Sequence, residues 1–152
     1  MKNLILILFI LSVPQLSAQS TVKKSKEYNL ENGLAIQGYD PVAYFTQKKA
    51  VKGKSSIATT YDGVIYYFSS NDNKELFKKN PSGYDPQYGG WCAYAMGAKG
   101  EKVEVDPETF KIVNGKLFLF YNAYFNNTLK SWNKDEANLN RKADANWKKI
   151  IN

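Results

Sequence analysis

Apolar and polar positions fall into two rhythms along the chain, and each change of rhythm marks an element. Two pairs of short runs, 57–61 with 64–68 and 110–113 with 116–121, are rich in β-branched and aromatic residues. The runs of each pair are separated by Asp62-Gly63 or Asn114-Gly115, dipeptides favoured in two-residue hairpin turns. Two β-hairpins are therefore predicted. Residues 117–121 are apolar on both faces, which marks the most buried strand. A further short strand is expected over 34–36, and 102–105 alternate charged and apolar residues like a half-buried strand.

A longer period appears elsewhere. Ser69-Ser70-Asn71-Asp72 reads as a capping cluster ahead of a helix whose apolar face carries Leu76 and Phe77, and Asn80-Pro81 stops it. Asp40-Pro41 predicts one short helical turn, with aspartate as N-cap and proline at the first helical position. A short helix or turn is expected over 91–96. From Asn122 onward Tyr124/Phe125, Leu129 and Trp132 recur at helical spacing, and a last helix sets Leu139, Ala143, Trp147 and Ile150/Ile151 on one side. This order predicts an α+β fold with a small antiparallel sheet built from two hairpins, packed with short helices and two C-terminal helices.

The first residues have another character. Lys2, an apolar run over 4–13, Pro14, and small residues at Ser17 and Ala18 before Gln19 form a secretory signal peptide. The run is about half of the roughly 20 residues a membrane span needs. We therefore expect 1–18 to be a cleaved signal, 19–33 a mobile leader and 34–152 a single domain. The expected address is exported, periplasmic or secreted, with no stable membrane insertion after cleavage.

Charge and composition narrow the function classes. Loss of Lys2 takes the formal net charge from +7 to +6, and the remaining lysines are scattered rather than gathered in one block. No nucleic acid partner is expected from that distribution. The chain has no histidine, which excludes Ser-His-Asp and Cys-His relays and histidine-ligated zinc. Cys92 is the single cysteine, so no disulfide forms within the chain.

Chemistry-bearing residues are densest over 83–96. Cys92 follows Gly89-Gly90 near an expected helix start, where free amides and the helix dipole favour a thiolate. Met96 lies four positions on, and a thiolate with a thioether is a soft pair suited to Cu(I). The same two side chains are ordinary core fillers beside Trp91, Ala93 and Ala95, and a lone exported cysteine also pairs between chains. Tyr39, Tyr67, Tyr88 and Trp91 belong to an aromatic supply that either lines a pocket for a small ligand or packs the shell of the core. Asp40, Asp85 and Asp106 each precede a proline, so helix capping explains them more economically than an oxygen-ligand or acid/base set.

Read together, several segments resemble a known family. Gly38-Tyr39-Asp40-Pro41-Val42-Ala43-Tyr44-Phe45, Tyr66-Tyr67-Phe68-Ser69-Ser70, Phe77 with Asn80-Pro81, and Pro86-Gln87-Tyr88-Gly89-Gly90 with Cys92-Ala93 are similar to the exported branch of YHS domain proteins. Asp106-Pro107, Phe110-Lys111-Ile112-Val113 and Ala143-Asp144-Ala145-Asn146-Trp147 fit the same branch. The resemblance implies a small α+β module of the kind that accompanies copper-handling and other metal proteins. Phe68 occupies the place of the namesake histidine, and Asn71 to Asn73 stand where metal-binding members carry cysteines. The expected function is an exported, non-catalytic small binding domain, with a metal ion or small molecule as ligand. Copper on Cys92 and Met96 is the leading metal. The alternatives are a thiol-dependent redox protein or enzyme using Cys92, and a structural or interaction module with no ligand.

Overall fold

A computed structural model describes residues 25–152, and its first strand precedes Leu34. Strand β1 (Leu30–Glu31) pairs antiparallel with β2 (Leu34–Ala35) across Asn32-Gly33, both at positive φ. Residues from Tyr28 onward, expected to belong to a mobile leader, are thus built into the fold. The signal expected over 1–18 lies outside the described residues.

After β2 the chain makes a 3-10 turn (Ile36–Gly38) and a single turn of helix, α1 (Ala43–Thr46), before the first hairpin, β3 (Lys54–Tyr61) and β4 (Val64–Phe68). Asp62 and Gly63 take φ of 50° and 77°, the left-handed pair that suits the right-handed twist of the strands. Leu34 of β2 pairs in parallel with Ile65 of β4, giving the sheet order β1-β2-β4-β3. That parallel link leaves no trace in the local sequence pattern.

Helix α2 (Asn71–Lys79) follows, and the Ser70 hydroxyl accepts from the Asn73 amide at its N-terminus. Then come α3 (Pro81–Tyr84), a 3-10 turn (Gln87–Gly90) and α4 (Ala93–Lys99), which ends on Gly100 at φ 72°. The second hairpin, β5 (Asp106–Val113) and β6 (Lys116–Phe120), turns at Asn114-Gly115 and forms its own two-stranded sheet. Leu117 to Phe120 are all buried, as their apolar run predicts.

Three local expectations change. Residues 102–105 form no strand, and the Val103 carbonyl accepts the Cys92 amide at 2.9 Å. Asp106-Pro107 begins β5 instead of capping a helical turn, and the register shifts between Asp106 and Phe110. Asp106 accepts from the Glu108 amide and the Thr109 hydroxyl there, the short-range bonding that aspartate offers a bulged backbone. Most visibly, Tyr124 and Phe125 form the tip of a small hairpin, β7 (Asn122–Ala123) with β8 (Asn126–Asn127), at φ 49° and 64° and fully exposed. Helix α5 (Thr128–Trp132) starts only after them, because the Asn127 side chain caps it.

The last helix, α6 (Glu136–Ile151), packs Leu139 and Ala143 against α4. The two helices approach so closely at Gly97 that a Cβ there would sit 2.5 Å from the Leu139 carbonyl oxygen. Buried side chains form two clusters. One gathers β2, β4, α1, α2 and Cys92; the other gathers Met96, Phe118, Phe120 and Trp132 beneath α6.

Candidate functional site

Two aspartates that precede prolines are buried, and they serve different ends. Asp40 is fully buried and accepts five hydrogen bonds. Its Oδ1 takes the amides of Val42 and Ala43 at 2.9 and 3.3 Å, the capping role that its place before Pro41 implies. Its Oδ2 takes the Ser69 amide and hydroxyl at 2.8 and 2.6 Å and the Asn73 amide nitrogen at 2.7 Å. The carboxylate therefore ties α1 to the end of β4 and to α2. It is structural.

Asp85 is not a cap. The 3-10 turn behind it has no side-chain capping bond, and its carboxylate instead accepts the hydroxyls of Tyr28 at 2.8 Å and Tyr66 at 2.6 Å, one on each oxygen. Burial first, and then the Asp85 charge, push both phenols well above the ordinary tyrosine range, so both remain donors.

Beside Asp85 a cleft of about 330 Å³ opens between the 88–90 turn and α6. Its walls carry Tyr28, Asp85, Tyr88, Asp144 and Trp147, with Lys148 also lining it. Tyr88 is held at φ 56°, a left-handed conformation uncommon for a side chain of this size, and Gly89 and Gly90 continue with positive φ. The Tyr88 hydroxyl donates to Asp144 Oδ1 at 2.9 Å, and burial together with that carboxylate raises its pKa. Gly89 is needed for space as well as conformation. A Cβ there would lie 2.8 Å from the Tyr28 ring and 2.9 Å from the Trp147 ring. Those two rings meet at 6.2 Å between centroids and 52° between planes, forming a corner over the Gly89 backbone.

Of the aromatic residues expected to bind a ligand, only Tyr88 lines this cleft. Tyr39 donates to Glu108 at 3.1 Å under the Lys52 ammonium, Tyr67 packs over Gly38 and Gly53, and the Trp91 indole donates to the Glu27 carbonyl at 2.7 Å. Cys92 and Met96 are both fully buried, Cys92 in the cluster with β2 and β4 and Met96 in the cluster with Phe118, Phe120 and Trp132. The Cys92 sulfur lies 3.4 Å from the Thr128 hydroxyl and accepts the Tyr121 amide at 3.4 Å. It also lines a second opening with Tyr94, Val103 and Tyr121. Phe68 is fully buried among apolar neighbours. Among the described residues no group of three or more His, Cys, Asp or Glu could hold a metal ion.

The residues missed in the sequence are Tyr28, Asp85, Asp144 and Trp147 as a group. Asp144, Trp147 and Lys148 share a helix face by spacing, which is a readable signal. Tyr28 has none, because its contact to Asp85 spans 57 positions.

The fold is thus that of a small α+β domain with an aromatic and carboxylate-lined cleft. Residues 42–88 match the family model of the YHS domain. Comparison with curated proteins and with solved structures finds no match.

Proposed function

We propose that the chain is an exported, non-catalytic binding domain whose small ligand occupies the cleft between the 88–90 turn and α6. The observation that carries this reading is Tyr88, a bulky residue kept in a left-handed conformation with its hydroxyl tied to Asp144 at the cleft wall. Backbone strain of this kind is retained where the surroundings over-determine it, and ligand clamps are one such place. Export is supported by the apolar run over 4–13 and the small residues before Gln19. A screen of charged and neutral fragments against isotope-labelled protein tests the site. Saturable shifts clustered on Tyr28, Tyr88 and Trp147 are expected, and a screen that moves none of them removes the reading. The mass of the chain recovered outside the cytoplasm tests export, with an N-terminus at Gln19 expected.

Copper binding is the second reading, supported by the match of residues 42–88 to the YHS domain model and by Cys92 lining its own opening. Met96 packs away from that opening among Phe118 and Trp132, so one soft ligand stands there without the other. A Cu(I) titration of wild type and Cys92→Ser decides it, since equal weak binding removes the metal. A thiol-dependent activity is tested by alkylation: a buried Cys92 that reacts only after denaturation rules out a nucleophilic role in the folded protein.

A further inference from the structure

We infer that the chain self-associates about a twofold axis, each copy placing its β7–β8 tip in the other copy's opening beside Cys92. That opening shares no lining residue with the cleft, so the inference stands apart from the ligand-site reading.

The tip breaks a rule that the two larger hairpins keep. A two-residue turn with both residues at positive φ favours Asp-Gly or Asn-Gly, the pairs found at 62–63 and 114–115. Positions 124 and 125 carry tyrosine and phenylalanine instead, at φ 49° and 64°, with both rings in solvent. Bulky side chains in the left-handed region are outliers, and the exposed rings return little packing to the single chain. Burial against a second surface offsets that cost.

The opening is the matching half. Asn126, next to Phe125 in the chain, lines it, so the tip stands at its rim. Tyr94, Ala95, Val103 and Tyr121 are half-buried in its walls and Ala98 is exposed there. The space of about 280 Å³ has room for one aromatic ring while its neighbour lies over the edge. A knob and a hole side by side on one face meet the condition of an isologous contact, in which each copy gives what it receives.

Charge and area agree with a second copy as occupant. Lys99 and Glu101 both line the opening, are exposed and lie 4.0 Å apart. One charge of each sign can trade partners across a twofold axis, whereas a rim of one sign would repel its own copy. Full burial of four rings removes about 600–1,000 Å² of ring surface. The walls they cover lose a similar area, which reaches the roughly 1,200–2,000 Å² of a specific interface. An anionic lipid surface would instead select lysine and arginine beside the rings, and asparagines flank them at 122, 126 and 127.

Sedimentation velocity across three decades of concentration tests this, with a parallel series on phosphatidylcholine–phosphatidylglycerol vesicles. The protein is expected to pass from monomer to dimer and stop there. Tyr124→Asn with Phe125→Gly supplies the pair that the turn prefers, so it keeps the fold, which circular dichroism verifies, and should weaken the dimer about tenfold or more. Ala98→Arg fills the opening from the exposed surface of α4 and should weaken it comparably. Lys99→Glu and Glu101→Lys each give the rim a single sign, so each alone should associate less and their equimolar mixture should regain the dimer. A protein that stays monomeric at every concentration overturns the inference, as does a dimer that survives the tip exchange or Ala98→Arg. Growth past the dimer overturns the twofold arrangement, and a mixture no stronger than either charge variant overturns the exchange of rim charges. Vesicle binding by a monomeric protein, lost on the tip exchange, assigns the rings to lipid and overturns the dimer.

Discussion

The Tyr66 hydroxyl donates to Asp85 Oδ1 at 2.6 Å, with both partners buried. This contact ties the central strand β4 to the loop that carries the 88–90 turn, and Tyr28 closes the other oxygen of the same carboxylate. Removing one hydroxyl leaves a buried carboxylate short of a donor, which costs about 1–3 kcal/mol. Tyr66→Phe should therefore lower the unfolding free energy by that amount in denaturant titration. Combined with Tyr28→Phe it should show non-additive loss, because both donors serve one acceptor.

Alkaline pH should unfold the protein earlier than its net charge alone would. Tyr28, Tyr44, Tyr66 and Tyr88 all have pKa values raised above the ordinary 10.0, chiefly by burial. Their stabilising share is fully present below the unfolded value near 10 and is lost as pH climbs from there toward the folded values. Melting temperature measured from neutral pH upward should show no change from these groups until about pH 10 and a steep fall beyond it. Tyrosinate absorbance followed in parallel should show these four phenols ionising only with unfolding.

Gly97 and Gly115 should respond differently to alanine. At Gly97 the added carbon meets the Leu139 backbone, so α4 and α6 must separate and a loss of about 2 kcal/mol or more is expected. At Gly115 the added carbon meets nothing within 4 Å, and the cost is the left-handed conformation alone, about 1 kcal/mol. Comparing the two denaturation midpoints separates crowding from backbone strain.

The tip of the β7–β8 hairpin should tolerate repair. Tyr124 and Phe125 adopt left-handed conformations with their rings in solvent. Replacing the pair with Asn-Gly relieves that conformation and should raise stability by about 1 kcal/mol, read by thermal unfolding. Unchanged stability would mean that the rings make compensating contacts.

Elements specified by adjacent residues were legible in the sequence. Asp62-Gly63 and Asn114-Gly115 turn where their chemistry requires it, Ser70 caps α2, and Leu139 and Ala143 face the core from α6. The failures share a cause, competition from residues nearby or far away. Tyr124 and Phe125 sit at helical spacing from Leu129 and Trp132, but Asn127 caps α5 after them. Cys92 and Met96 are one helical turn apart and pack in different clusters, with Cys92 at the cap of α4 beside Thr128 and Tyr121. The cleft itself was largely hidden. Tyr28 reaches Asp85 across 57 positions and Tyr88 reaches Asp144 across 56, and no local pattern encodes such meetings.

The five hydrogen bonds on Asp40 bear on where this domain can be cut. The family match spans 42–88, and Asp40 lies two residues before it, while the amides and side chains it holds lie inside. An excised 42–88 segment would leave Ser69 and Asn73 without their common acceptor, and it would also lose Tyr28 from Asp85 and α6 from the cleft. The stretch by which the family model matches is therefore smaller than the stretch these bonds hold together, and boundaries drawn at 42 and 88 would part Asp40 from every group it binds.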